Sequence, residues 1–327
     1  MAGANTGAHL WISEYITPHD VYLHGVERVL AAAETEWQSM QIVRSGAGGT
    51  GLVLDGKWQS GTGDEFLYHE PLVQPACVAL ADRGTPPATA LILGGGEGAT
   101  LREVLRWRTV GRAAMVDLDG EVVDACREHL RDMHRGCFDD PRAEVVIDDA
   151  LKYVADPATV PDSNGRAGWD LIVSDLSDPI EDGPSFQLFT KEYFEQLRSV
   201  LAPGGVLVVQ AGPVSPWEMH LHARLVRTLR AVFPETRSLM SAVPAYAAPW
   251  SFILASSEPI AVPEPARTDA LLAEFTGDTY GPLRMFDGIS LVGLAHPPRH
   301  LRDAIEAETL VYTKDAPPSF FGTGKLG

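Results

Sequence analysis

A short apolar run that ends in a glycine turn, LILGGGEGATLRE at residues 91–103, constrains this chain more than any other stretch. A strand that runs into glycines and out into a helix opens a βαβ unit. Read as G-x-G-x-x-A (Gly94, Gly96, Ala99), it fits the nucleotide-binding fingerprint, and Asp117 follows at the end of the next apolar run, about where a ribose ligand is expected. Glu97 argues against the commonest use of such a turn. A dinucleotide lays its pyrophosphate on this loop, where a fixed carboxylate repels it, whereas a nucleoside carrying a cation is attracted.

The segments around this turn alternate in the same way. Strand candidates at 90–94, 113–117, 144–148, 170–174 and 205–210 are separated by helical spacing in EVVDACREHL and KEYFEQLRSVL, which predicts a doubly wound, mostly parallel α/β sheet. Upstream, Glu36 to Ser60 reads as short strands, with Asp55-Gly56 as a two-residue hairpin turn. The expected division is a small β-strand domain at 1–72 and a Rossmann-like domain at 73–327, with ADRGTPPATA as linker. Asp64 is the expected N-cap of a short helix, DEFLYHE, which Pro71 and Pro75 limit or kink. SFILAS and HLRDAIEAE add a strand and a helix towards the end.

Composition narrows the partners. Forty-four acidic against 26 basic side chains, a net charge of −18, disfavour nucleic acid and anionic membranes and suit a cationic substrate. Cys77, Cys126 and Cys137 form no C-x-x-C, which fits a reducing compartment without structural zinc. With no basic and apolar leader at the amino terminus and no apolar run of about 18 residues, a cytoplasmic location is expected.

In a doubly wound sheet the ligand lies outside the carboxyl ends of the strands, and here those ends are repeatedly acidic: Glu97, Asp117, Asp148-Asp149, then Asp175 and Asp178 in LIVSDLSDP. Each alone reads most simply as a helix cap or Asx turn. Together, crowded carboxylates call for a cation among them: an amine, a sulfonium or a metal. Metal is the weaker choice because no histidine accompanies the cluster at ligand spacing.

GGGEGATLRE, LDGKWQSGTGDEFLYHE, VDLDGEVVDACREHL, IDDALKYV and DLIVSDLSDPIEDGPSFQLFTKEYF together resemble the polyamine aminopropyltransferases, the spermidine synthase family, over roughly residues 35–315. The resemblance implies an amino-terminal β-strand domain before a methyltransferase-like domain. It also implies transfer of an aminopropyl group from decarboxylated S-adenosylmethionine, as co-substrate, to an amine, with no metal or other cofactor. It assigns Asp117 to the ribose, Asp149 with Ala150 to the adenine, Gln38 and Glu97 to the aminopropyl side of the donor, and Gly94 and Gly96 to the donor loop. Asp175 resembles the general base. Tyr68, Asp178, Gln210 and Tyr246 match positions around the acceptor, where aromatic faces and hydroxyls hold a polyamine, and 179–187 resembles a mobile gate. The family forms homodimers or homotetramers.

Two departures refine the expectation. Tyr68-His69-Glu70 stands where typical spermidine synthases have Tyr-Gln-Glu, and Ala99 where they have a third glycine. Both resemble the branch of thermospermine synthases and bacterial enzymes with longer acceptors, which implies spermidine as acceptor; putrescine or agmatine compete. His69 either contacts the donor or supports its helix. Glu181, Asp182 and Glu218 are candidates along a longer acceptor groove. The rival classes are a methyltransferase, a noncatalytic nucleoside-binding protein and, third, an NAD oxidoreductase.

Overall fold

The computed structural model describes residues 7–17, 19–163, 166–178 and 186–318. It opens with five antiparallel strands paired in chain order: β1 (Leu10–Thr17), β2 (Asp20–Glu34), β3 (Ser39–Ser45), β4 (Gly49–Leu54) and β5 (Lys57–Gly61). β3 to β5 fall where the sequence predicts strands. Asp55 and Gly56 both take positive φ (48° and 74°), as a tight hairpin between twisted strands requires. β1 and β2 were not expected, because LAAAE in β2 carries helix-forming residues and only pairing with β3 makes it extended.

α1 (Phe66–Asp82) corrects the expectation of a short, proline-limited helix. It runs through Pro71 and Pro75, and every residue from Tyr68 to Ala81 is buried. Pro71 has no N–H to give the Leu67 carbonyl four residues earlier, but the Ser241 hydroxyl donates to that oxygen at 2.6 Å. Packing on all sides outweighs the local cost. Asp64 is not the N-cap; its Oδ2 accepts from the Ala245 N–H at 2.9 Å, and Glu65 occupies the cap position without its side chain capping the helix N–H groups. The boundary expected at 72/73 therefore lies within α1, which packs on the second sheet.

The chain then runs through β6 (Thr89–Gly94), α2 (Ala99–Leu105), β7 (Arg112–Asp117), α3 (Gly120–His129), α4 (Arg131–His134), β8 (Ala143–Ile147), α5 (Ala150–Ala155), a separate antiparallel pair β9 (Asp162–Ser163) and β10 (Arg166–Ala167), and β11 (Trp169–Asp175). It continues through α6 (Lys191–Val200), β12 (Leu201–Pro213), α7 (His220–Arg230), β13 (Glu235–Val243) and β14 (Ala248–Ser256). The seven strands lie in the order β13-β14-β12-β11-β6-β7-β8. β8, β7, β6, β11 and β12 are parallel, at the positions the apolar runs predict, and β14 is antiparallel to both its neighbours. This is the methyltransferase-like α/β arrangement. Apolar side chains fill both faces of the sheet. The chain leaves β6 towards β7 and β8 on one side and returns to β11 on the other, so the crevice opens at the carboxyl ends of β6 and β11.

After α8 (Pro265–Phe275) come α9 (Gly288–Leu294) and α10 (Arg299–Ala307). Among the described residues, no helix is long and apolar enough to cross a membrane.

Candidate active site

The glycine turn works by close approach. Gly94 (φ 82°) is paired with Asp175 at the ends of β6 and β11, and a Cβ on it would run into the Asp175 carbonyl oxygen. A Cβ on Gly96 would lie 2.8 Å from Asp117 Oδ2. Only glycines let the two strand-end carboxylates come this near the loop.

Asp117 ends β7 and accepts from the Asp119 N–H at 3.0 Å. Burial, reinforced by the charges of Glu97 and Asp119, raises its carboxyl to about 6. Asp149 caps α5 by accepting from the Leu151 N–H at 2.8 Å, the plain role of an Asp after a strand, while it also faces the cavity. Buried Ala150 begins that helix beside it.

His69 settles between its two expected roles. On α1 it is 1% exposed, and both ring nitrogens meet carboxylates: Nδ1 bonds Glu65 Oε2 at 3.0 Å and Nε2 bonds Glu97 Oε1 at 2.9 Å. Burial works against a charge there, but the bonds to Glu65 and Glu97 outweigh it and raise the pKa to about 10. For Glu65 burial is likewise overcome, by His69 and Arg102, and its pKa falls to about 2. Arg102 donates to both Glu65 oxygens (3.1 and 2.8 Å) and to Glu103, which also accepts from Arg106 at 2.7 Å. An alternating row of buried charges therefore runs from Glu97 away from the cavity.

Asp175 accepts from the Tyr68 hydroxyl at 2.7 Å and from the Thr100 hydroxyl at 2.5 Å. Burial, with Glu97's charge second, pushes its carboxyl up. Ligand atoms of His69, Glu97 and Asp175 all lie within 4.8 Å of one another, which corrects the expectation that no histidine accompanies the acidic cluster. The folded chain supplies the histidine from 28 residues before Glu97. The raised pKa of His69 favours the doubly protonated ring, a form with no lone pair to offer a metal.

On the far side, Asp178 accepts from Gln210 Nε2 at 3.0 Å and burial raises its pKa. Gln210 also donates to the Leu176 carbonyl at 2.8 Å and accepts from Trp250 Nε1 at 3.1 Å. Tyr246 stacks at a tilt on Trp250, centroids 4.6 Å apart, and sits edge-on to Tyr68. Its hydroxyl donates to the Gln59 carbonyl at 2.5 Å, which leaves its oxygen lone pairs and its ring to the cavity it lines.

Gln38, Tyr68, His69, Gly94, Gly96, Glu97, Asp117, Asp149, Ala150, Asp175, Asp178, Gln210 and Tyr246 all line one cavity of about 1290 Å³ between the two sheets. Glu218, holding the Ser215 hydroxyl at 3.0 Å, lines it too. Residues 179–185 of the expected gate at 179–187, with Glu181 and Asp182, lie outside the described residues. Sequence reasoning missed Thr100, Glu65, Arg102, Trp250, Thr35 and Asp119. Thr100 and Arg102 belong to the glycine motif itself, in ATLRE, and were legible there as polar residues on a helix whose other positions are buried.

A family model described as "Spermine/spermidine synthase domain" matches residues 65–264. The chain belongs to the spermine/spermidine synthase family. It is 52% identical over 309 residues to a polyamine aminopropyltransferase of a Synechococcus strain, covering 94% of this chain and 96% of that one. It is 41% identical over 308 residues to the polyamine aminopropyltransferase of Aeropyrum pernix, covering 93% of each. Among solved structures, spermidine synthase in complex with the transition-state analogue AdoDATO is similar, with a TM-score of 0.79, 28% identity, and coverage of 92% of this chain and 96% of that one. The protein is thus an aminopropyltransferase enzyme whose co-substrate is decarboxylated S-adenosylmethionine.

Proposed function

We propose that this aminopropyltransferase uses spermidine as acceptor and releases thermospermine and methylthioadenosine. The observation that carries this reading is the run of carboxylates along one cavity, from Asp149 and Asp117 past Glu97 and Asp175 to Asp178 and Glu218. In this reading Asp117 accepts from the ribose hydroxyls, while Asp149 and Ala150 face the adenine. Gln38 and Glu97 meet the aminopropyl side, where decarboxylation has left an ammonium next to no carboxylate. Glu97 attracts that ammonium and repels the carboxylate of intact S-adenosylmethionine, which disfavours methyl transfer.

An amine with a pKa near 10 is protonated at neutral pH and cannot attack. Asp175, raised by burial and kept in place by Tyr68 and Thr100, takes the proton. The amine nitrogen then bonds the sulfur-bound methylene of the aminopropyl group as that C–S bond breaks, and sulfur leaves as a neutral thioether. Alignment contributes as much as the base, since nitrogen, carbon and sulfur must lie in line at about 3–3.5 Å. Asp178, with Gln210 behind it, and the Tyr246 and Trp250 rings flank the acceptor, and Glu218 offers a further carboxylate to a distant ammonium. The second reading, a shorter amine such as putrescine or agmatine, is favoured by Lys57, which lines the same end and whose charge reaches both Asp178 and Glu218.

We also propose a homo-oligomer and a cytoplasmic location. β1–β2 register puts Trp11, Tyr15, Leu23 and Val21 on one face, all about half exposed, which suits burial by another copy. Three buried, unpaired cysteines fit a reducing compartment. Asp175→Asn tests the mechanism: turnover is expected to fall by about 10²- to 10⁴-fold with methylthioadenosine binding intact. Turnover at the normal rate would remove Asp175 from the role of base.

A further inference from the structure

Asp119 is 2% exposed and makes more polar contacts than any helix cap needs. Its Oδ1 caps α3, accepting from the N–H groups of Glu121 (3.1 Å) and Val122 (3.2 Å). Its Oδ2 faces the other way and accepts from two side chains of the N-terminal sheet, the Thr35 hydroxyl at 2.6 Å and Gln38 Nε2 at 3.1 Å. Its own N–H donates to Asp117 Oδ1 at 3.0 Å. Both oxygens are thus occupied, and Asp119 is placed to hold neighbours rather than a ligand.

What it holds is the turn between β2 and β3. Thr35 organises that turn from within, its hydroxyl oxygen accepting from the N–H groups of Trp37 and Gln38 at 3.1 Å each. Trp37, 45% exposed, and Gln38 line the same cavity as Asp117, Asp148 and Asp149. Away from the rim, the two sheets meet through apolar packing of Met40 and Ile42 against Val122, Cys126 and Met133. That contact is non-directional and does not fix where a turn sits. Bonds to a buried carboxylate do.

We infer that Asp119 is a positioning residue for the donor: by clamping the Thr35–Gln38 turn beside Asp117 it fixes the N-terminal sheet's wall of the donor site, so donor affinity depends on the clamp while the transfer step does not. The inference rests on the placement of the donor proposed above. One carboxylate serves the wall through Oδ2 and the ribose candidate Asp117 through its backbone N–H, so both sides of the pocket are set from one residue.

Thr35→Val tests it, because it removes the hydroxyl from the outside and leaves Asp119 capping α3. Isothermal titration with methylthioadenosine, together with steady-state kinetics, gives the readout. Methylthioadenosine Kd and donor KM are expected to rise about tenfold, the equivalent of one lost hydrogen bond to a charged group. kcat at saturating donor and acceptor KM stay within about twofold, and Thr35→Ser restores the wild-type values. Trp37→Ala, which leaves every bond to Asp119 in place, is expected to raise donor KM in the same direction. Wild-type Kd in a folded Thr35→Val protein, or a lowered Tm with Kd unchanged, overturns the clamp. If the wild-type protein itself bound no methylthioadenosine, the donor placement would fail and the clamp with it.

Discussion

Glu97 looks from the sequence like a lone anion in a glycine loop, and the fold gives it a partner. The His69 imidazolium lies 2.9 Å away, Glu65 and Arg102 follow behind, and the row of alternating charges is close to neutral as a whole. The negative character of the cavity therefore rests on Asp117, Asp175 and Asp178 as well, and in the proposed placement of the donor Glu97 acts through proximity to its ammonium. Glu97→Gln is expected to weaken binding of decarboxylated S-adenosylmethionine about tenfold more than binding of methylthioadenosine, which has no ammonium. Equal losses for both ligands in titration would contradict the contact. His69 makes a second prediction. Its pKa of about 10 lies above the value near 6.5 of an unfolded histidine, so its stabilisation is complete below pH 6.5 and disappears as pH rises towards 10. Urea unfolding of wild type and His69→Gln is expected to show the largest difference near pH 6.5 and a shrinking one by pH 9.5; a difference that stays constant would show that the ring is not charged in the fold.

α1 shows how much one element carries. Three successive side chains point to three tasks: Tyr68 to Asp175, His69 to Glu97, and Glu70 to the backbone N–H groups of Arg284, Met285 and Phe286, each at 2.8 Å. Glu70 thereby ties the helix to the segment between α8 and α9. Glu70→Ala leaves these N–H groups without their carboxylate and is expected to cost about 3 kcal/mol of unfolding free energy, with Glu70→Gln losing less. An unchanged denaturation midpoint for Glu70→Ala would contradict that tie. The parallel strands were legible because a strand covered on both faces is a continuous apolar run, as in LIVSD and VLVVQ. β1, β2 and β13 were not, because none of them is covered on both faces and the extension of each depends on its neighbours. α1 was misread for the same reason. The rule that proline ends a helix is local, and the hydroxyl that relieves Pro71 comes from Ser241, 174 residues beyond Leu67. In the site, carboxylates at strand ends could be read one strand at a time, whereas Thr35's grip on Asp119 joins residues 84 apart that no spacing links.

At the scale of the whole molecule, neither sheet makes the cavity alone. The parallel sheet supplies the carboxylates at its strand ends, and the N-terminal sheet closes the space with Trp37 and Gln38 at one end and Glu14, Lys57 and Gln59 at the other. A net charge of −18 favours the approach of polycations to that space. In the proposed reading the carboxylates beyond Asp175, Asp178 and Glu218, suit an amine longer than a diamine, and Lys57 is the feature that opposes it. The most direct measurement is incubation of the purified protein with decarboxylated S-adenosylmethionine and, separately, putrescine, agmatine or spermidine, following methylthioadenosine release and separating products against thermospermine and spermine standards. The account predicts the highest kcat/KM with spermidine and thermospermine as product; turnover with only putrescine or agmatine, or spermine as the product, would contradict it.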